Sequence, residues 1–196
     1  MGGTLLLETA FTKLCGRLSD FHPFSLLFRA ELKPMLRLRK LKKGTVLVHR
    51  GERQAMVWFL FRGHAKEVSP SAQEMKGRAS WFWYPGDFLF AYPGFFAQEP
   101  SLTNIQLIQD SLLLEISYVD FLDLKESFAE VTPLVEKIRG YYERLRVEHA
   151  DDMLNLSARE RYLKFFSAHR ELFNVAKQKD IAAFLGIKDD GFHRYQ

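Results

Sequence analysis

Asp87 and Ser101 stand near the two ends of a segment of short helix and turn whose aromatic side chains could line a ligand pocket. Gly86, Asp87 and Phe88 open it, Ser101, Leu102 and Thr103 close it, and Phe90, Tyr92, Phe95 and Phe96 lie between. Catalytic chemistry has no comparable footing. His22, His49, His64, His149, His169 and His193 are scattered, with no His-x-His pair beside an acid to hold a metal. Cys15 is alone, so it makes neither an internal disulfide nor a thiolate cluster. The reading is of a protein that binds, not an enzyme, with no metal and no cofactor.

Positioning such a segment takes a sheet, and the sequence around it reads as one. Gly44, Gly51, Gly63 and Gly86 each stand where one run of β-formers stops and the next begins, as turns needing positive φ require. The runs are Thr45 to Val48, Val57 to Phe61, Ala79 to Tyr84 and Leu112 to Ile116, all rich in branched or aromatic side chains. The polar stretch between Val68 and Arg78 reads as a hairpin tip. Before the sheet, apolar spacing predicts helices over Leu5 to Leu18 and Phe24 to Leu38.

After Tyr118 the period returns to that of helices. Thr132 as N-cap and Pro133 in the first turn predict a long helix. Leu134, Ile138, Tyr141 and Leu145 form one apolar stripe on it, and Val135, Tyr142, His149 and Leu156 an adjacent one. Two stripes imply two partners, with Leu134, Ile138, Tyr141 and Leu145 assigned to a second copy of the chain and the other stripe to the sheet. A helix bridging two domains of one chain has a similar period. Ser157 and Glu160 have the spacing of a capping box and start a further helix.

These signatures, taken together, resemble a known family. Lys43-Gly44-Thr45, Arg50-Gly51-Glu52, Leu60-Phe61-Arg62-Gly63, Tyr84-Pro85-Gly86-Asp87-Phe88 and Glu115-Ile116-Ser117-Tyr118 look like the successive motifs of the cyclic-nucleotide-binding roll. Their order is similar to that in the bacterial Crp-Fnr transcription regulators. The resemblance implies an α+β chain: an antiparallel, jelly-roll-like sensor over 1–132, a dimerisation helix over 133–156 and a small all-α helix-turn-helix domain over 157–196. It also implies DNA, a second copy of the chain, RNA polymerase and a small effector as partners.

Within the family's phosphate-binding cassette, Asp87 matches the acid that holds the ribose. The position of the phosphate-binding arginine holds Ser101. Losing a bidentate, charge-assisted contact removes at least about 2 kcal/mol, so ordinary cyclic AMP binding is not expected. The aromatic side chains of the segment either line a more apolar pocket or fill it, and a filled pocket is the preferred reading. In the C-terminal part, Ile181, Phe184 and Leu185 resemble the buried face of the first helix of a helix-turn-helix, led or capped by Asp180. Gly186 resembles the turn, and Ile187 its plug.

The following turn, Asp189-Asp190-Gly191, brings carboxylates to a place where DNA phosphates come near. Lys177, Lys179, Lys188, His193 and Arg194 are the remaining candidate contacts, and Gln196 leaves no room for a β-hairpin wing. The alternative is a sensing or protein-interaction module without specific DNA binding. With 196 residues, net charge +4 and pI near 9.1, the chain suits nucleic acid without demanding it. It carries no long apolar run or leader pattern, which places it in the cytoplasm, off the membrane.

Overall fold

In the computed structural model, residues 2–71, 77–188 and 192 are described. Helices α1 (Gly2–Phe21) and α2 (Leu26–Met35) come first. The start of α2 is fixed by Ser25, whose Oγ accepts from the Phe28 N–H at 3.0 Å. The helix ends earlier than the apolar spacing predicts. Leu36 is extended, and the chain turns into β1 (Arg37–Leu41), whose backbone pairs with β8 (Ser111–Ser117). Its exposed Arg37, Arg39 and Lys40 suit an edge strand.

The other strands are β2 (Val46–Val48), β3 (Met56–Arg62), β4 (Ala65–Ser69), β5 (Arg78–Trp83), β6 (Phe88–Leu89) and β7 (Asn104–Leu107). They form two four-stranded antiparallel sheets, in the orders β1-β8-β3-β6 and β2-β7-β4-β5. This is the expected α+β roll. The four punctuating glycines all have positive φ. At Gly63 the need is twofold, because an added Cβ would also strike Ser111.

Helices α3 (Gly94–Ala97), α4 (Tyr118–Ser127) and α5 (Val131–Asn155) complete the scaffold around the roll. Thr132 is not the cap of α5. Glu130 holds that position without a side-chain cap, and its carboxylate instead accepts from Ser25 Oγ at 2.7 Å. Among the described residues no helix is long and apolar enough to cross a membrane.

The stripe on α5 assigned to a second copy is used by the chain itself. Leu134 and Ile138 are only 3% and 6% exposed. Tyr141 packs edge-on against Phe21, 5.4 Å between ring centroids, and Leu145 lines a cavity facing the C-terminal helices. Leu134 and Ile138 thus have no apolar area left for a partner, while Tyr141 and Leu145 stay half-buried. The exposed apolar positions of α5 lie elsewhere, at Val147 (63%) and Leu154 (85%), in heptad register with Gly140.

Helices α6 (Ala158–Ala168), α7 (Arg170–Val175) and α8 (Gln178–Phe184) follow. The Ser157/Glu160 capping box forms in full. Gly186 adopts φ +62, and any side chain there would meet Met153. Ile187 is buried beyond it. Asp180 lies in the first turn of α8, but its carboxylate does not cap the helix. It reaches Lys66 on β4 at 2.8 Å, and both side chains are largely buried.

Candidate functional site

Asp87 and Ser101 do not meet in one pocket. The Asp87 carboxylate is occupied, accepting from the Tyr84 N–H at 2.7 Å and from the Tyr142 hydroxyl at 3.0 Å. Tyr142 in turn accepts from the Phe88 N–H at 2.8 Å. Burial pushes the Asp87 carboxyl above its ordinary range, and these hydrogen bonds offset part of that. The Tyr142 phenol is pushed well up by burial and by the Asp87 charge. Asp87 is thus a tie between the roll and α5, and sugar recognition would have to break it.

Ser101 is closed as well. Its Oγ donates to the Thr103 carbonyl at 2.7 Å and accepts from the Thr103 N–H at 3.2 Å. The residue is buried and presents nothing to a ligand. Leu102 and Thr103, by contrast, do line a cavity, of about 620 Å³. It lies between the β2-β7-β4-β5 sheet and the middle of α5, with Phe90 and Tyr92 on its wall. Side chains close the segment at Asp87 and Ser101 but do not fill it beside Leu102 and Thr103. Phe95 and Phe96 turn towards Phe121 of α4, with ring centroids 5.3 and 5.9 Å away, and so leave the space open.

The cavity's cations come from outside the cassette. Arg50 stands on its wall beside Arg139 and Arg146 of α5. The Arg146 guanidinium bonds the buried Glu67 carboxylate at 2.6 Å and lies 4.8 Å above the Trp81 ring. Thr103 Oγ1 is buried with no hydrogen-bond partner. An unpartnered hydroxyl among arginines and aromatic faces suits an anion with an aromatic body. Arg146 is the cation that the long helix offers in place of the absent arginine, whereas Arg50 and Arg139 are missed by sequence spacing, Arg50 because it lies far from both along the chain. The only signal available was that Arg139 and Arg146 are seven residues apart, hence on one side of a helix.

The C-terminal helices seat against the same roll. Phe184 packs edge-on to Phe82 and Trp81, with centroids 5.3 and 5.9 Å apart, and stacks on His149 at 4.1 Å. His169 stacks on Tyr84 at 4.4 Å. Arg161 ties the end of α5 to the turn after α8, donating to the carbonyls of Leu156 and Leu185. Lys177, Lys179 and Lys188 are exposed. Asp189, Asp190, His193 and Arg194 lie outside the described residues, so four of the seven proposed DNA contacts are not placed.

No curated protein sequence matches the chain. Among solved structures, the chain is similar to a putative transcriptional regulator of the Crp/Fnr family from Eubacterium rectale. The TM-score is 0.70 at 14% identity, covering 90% of this chain and 85% of that one. It is also similar to the c-di-GMP responsive global regulator CLP of Xanthomonas campestris, with TM-score 0.65, 13% identity and coverage of 87% and 89%. FixK2 from Bradyrhizobium japonicum matches with TM-score 0.62 at 16% identity, with 82% of each chain covered. At these identities the likeness is one of fold. Residues 38–128, a little under half of the chain, match the family model of the cyclic nucleotide-binding domain, and the two-sheet roll has the fold of that domain.

Proposed function

We propose that the chain is a Crp-Fnr-like, homodimeric transcription regulator whose roll senses a small anion other than cyclic AMP held in the usual way. The observation that carries this is the order of parts. One 25-residue helix runs from the sensor cavity to a helix-and-turn unit that has exposed lysines at its start and end. A second copy would pack along Gly140, Val147 and Leu154, whose seven-residue spacing makes a single seam on the outer side of α5. Leu134, Ile138, Tyr141 and Leu145 support that seam from inside. Lys177, Lys179 and Lys188 would touch DNA phosphates, and base reading falls to the residues after Lys188. RNA polymerase is the downstream partner in this reading.

Sedimentation tests the dimer. A dimer at micromolar concentration that falls apart on Val147→Glu with Leu154→Glu is expected, and a monomer in both forms defeats the proposal. Selection from a random duplex pool tests DNA binding. Enrichment of a palindrome supports regulation of particular promoters, whereas binding that only falls with salt supports the alternative of a module without specific readout. That second reading draws on one observation, the buried Lys66–Asp180 pair and the seated Phe184, which hold α8 against the roll.

A further inference from the structure

A third cavity lies at the first two turns of α5, where α1, α2 and α4 meet the β1-β8-β3-β6 sheet. Its volume is about 100 Å³, and every residue on its wall is Leu, Ile, Val, Phe or Trp. The one polar side-chain atom of that wall, the Trp58 indole N–H, is already directed to Glu115 at 3.2 Å. Glu115 is itself paired with Arg39 at 3.0 Å. Water in a void needs two to four polar partners, and this wall offers no side chain to supply them, which favours a dry space.

We propose that this cavity is a binding site for a small uncharged apolar molecule, about the size of benzene. Three observations carry it. The volume is of the order of the apolar cavities that take up benzene or xenon. The interior walls, such as Leu14, Leu18 and Leu134, are nearly fully buried, whereas Phe96, Phe121 and Val135 are half-buried and form a lip on one side. A guest there regains the dispersion contacts an empty void forfeits, while a charged one would lose its hydration without a partner.

The site shares no wall residue with the arginine-lined cavity. It is nevertheless connected to it. Phe88 places its ring on the apolar wall and its N–H on the Tyr142 hydroxyl, which lines the other cavity. Occupancy of the apolar site therefore bears on the tie that joins the roll to α5.

The test uses the full chain with labelled Leu, Val and Ile methyl groups, titrated with benzene and pressurised with xenon. Saturable shifts confined to the cavity methyls, notably Leu18, Leu134 and Ile138, are expected, with a thermal midpoint that climbs with benzene concentration. Benzoate should leave those methyls unmoved. Leu134→Phe fills the void and should abolish the shifts. If that variant does not fold, Val135→Leu at the lip should weaken benzene by at least about tenfold. Shifts that are absent, linear in concentration, equally produced by benzoate, or retained in a folded Leu134→Phe protein overturn the site.

Discussion

Two consecutive stretches of α5 face cavities of opposite character. Val131, Leu134, Val135 and Ile138 line a small space walled by hydrocarbon, while Arg139, Tyr142, Glu143 and Arg146 line a larger one with arginines on its wall. The first stretch holds the molecule together through buried apolar area, and the second keeps charged groups in partial contact with water. Hydrocarbon packing and charged contacts therefore fall on different turns of one helix, joined through Phe88 and Tyr142.

The largest effect is expected on the apolar side. Leu134→Ala should cost about 3 kcal/mol in urea unfolding, because it deletes buried methyl groups beside an existing void. A loss under about 1 kcal/mol would mean that the wall collapses freely, and the contrast between the two stretches would fail. On the arginine side, Glu67→Ala should cost less, about 1 to 2 kcal/mol, since Arg146 keeps access to solvent. The same change releases Arg146 towards the cavity, so calorimetry should show cyclic AMP binding rise from weak or absent to measurable. Unchanged binding would remove Arg146 from the ligand site.

Tyr142→Phe sharpens the boundary between the two stretches. It removes a donor to Asp87 and an acceptor for Phe88, for a loss of about 1 kcal/mol. Carbon-detected titration should find the Asp87 carboxyl displaced further upward, and a downward displacement would contradict the tie.

The smallest effect is in pH. Burial holds His64, His149 and His169 below the ordinary histidine value of 6.5. Their unfolded forms take up protons first, so this contribution is complete above 6.5 and is lost as pH falls towards their lowered folded values. Asp87 acts with the opposite sign. Its raised carboxyl favours the folded state increasingly as pH drops through its folded value towards 3.8. Unfolding midpoints from pH 8 to 5 should fall, and His149→Phe with His169→Phe, which keep ring stacking, should flatten the slope. A slope unchanged in that double variant would assign the effect to other groups.

Local chemistry was legible in the sequence, and long-range pairing was not. The turn glycines and the Ser157 capping box depend on a few neighbouring residues, and they were found where spacing put them. The start of β1, Arg37 and Leu38, was read as the end of a helix because the apolar spacing runs on through it, and only pairing with β8 decides between them. The two-residue β6 and four-residue β7 are too short to show a period inside the cassette. The tie of Asp87 to Tyr142 was not legible, since it depends on a residue 55 positions away. Leu134 and Ile138 were correctly read as one buried stripe, but periodicity cannot say which surface buries it.

Lys66 and Glu67 are neighbours on β4, and they reach in different directions. Lys66 clasps Asp180 of α8, and Glu67 clasps Arg146 of α5. This limits how the chain can be recombined. A chimera joined at Ser157 with a foreign C-terminal unit inherits a buried lysine with no acid to meet it. Such grafts should express poorly unless the incoming helix brings a carboxylate at the position of Asp180 and an aromatic ring at that of Phe184, or unless Lys66 is exchanged for an apolar residue at the same time.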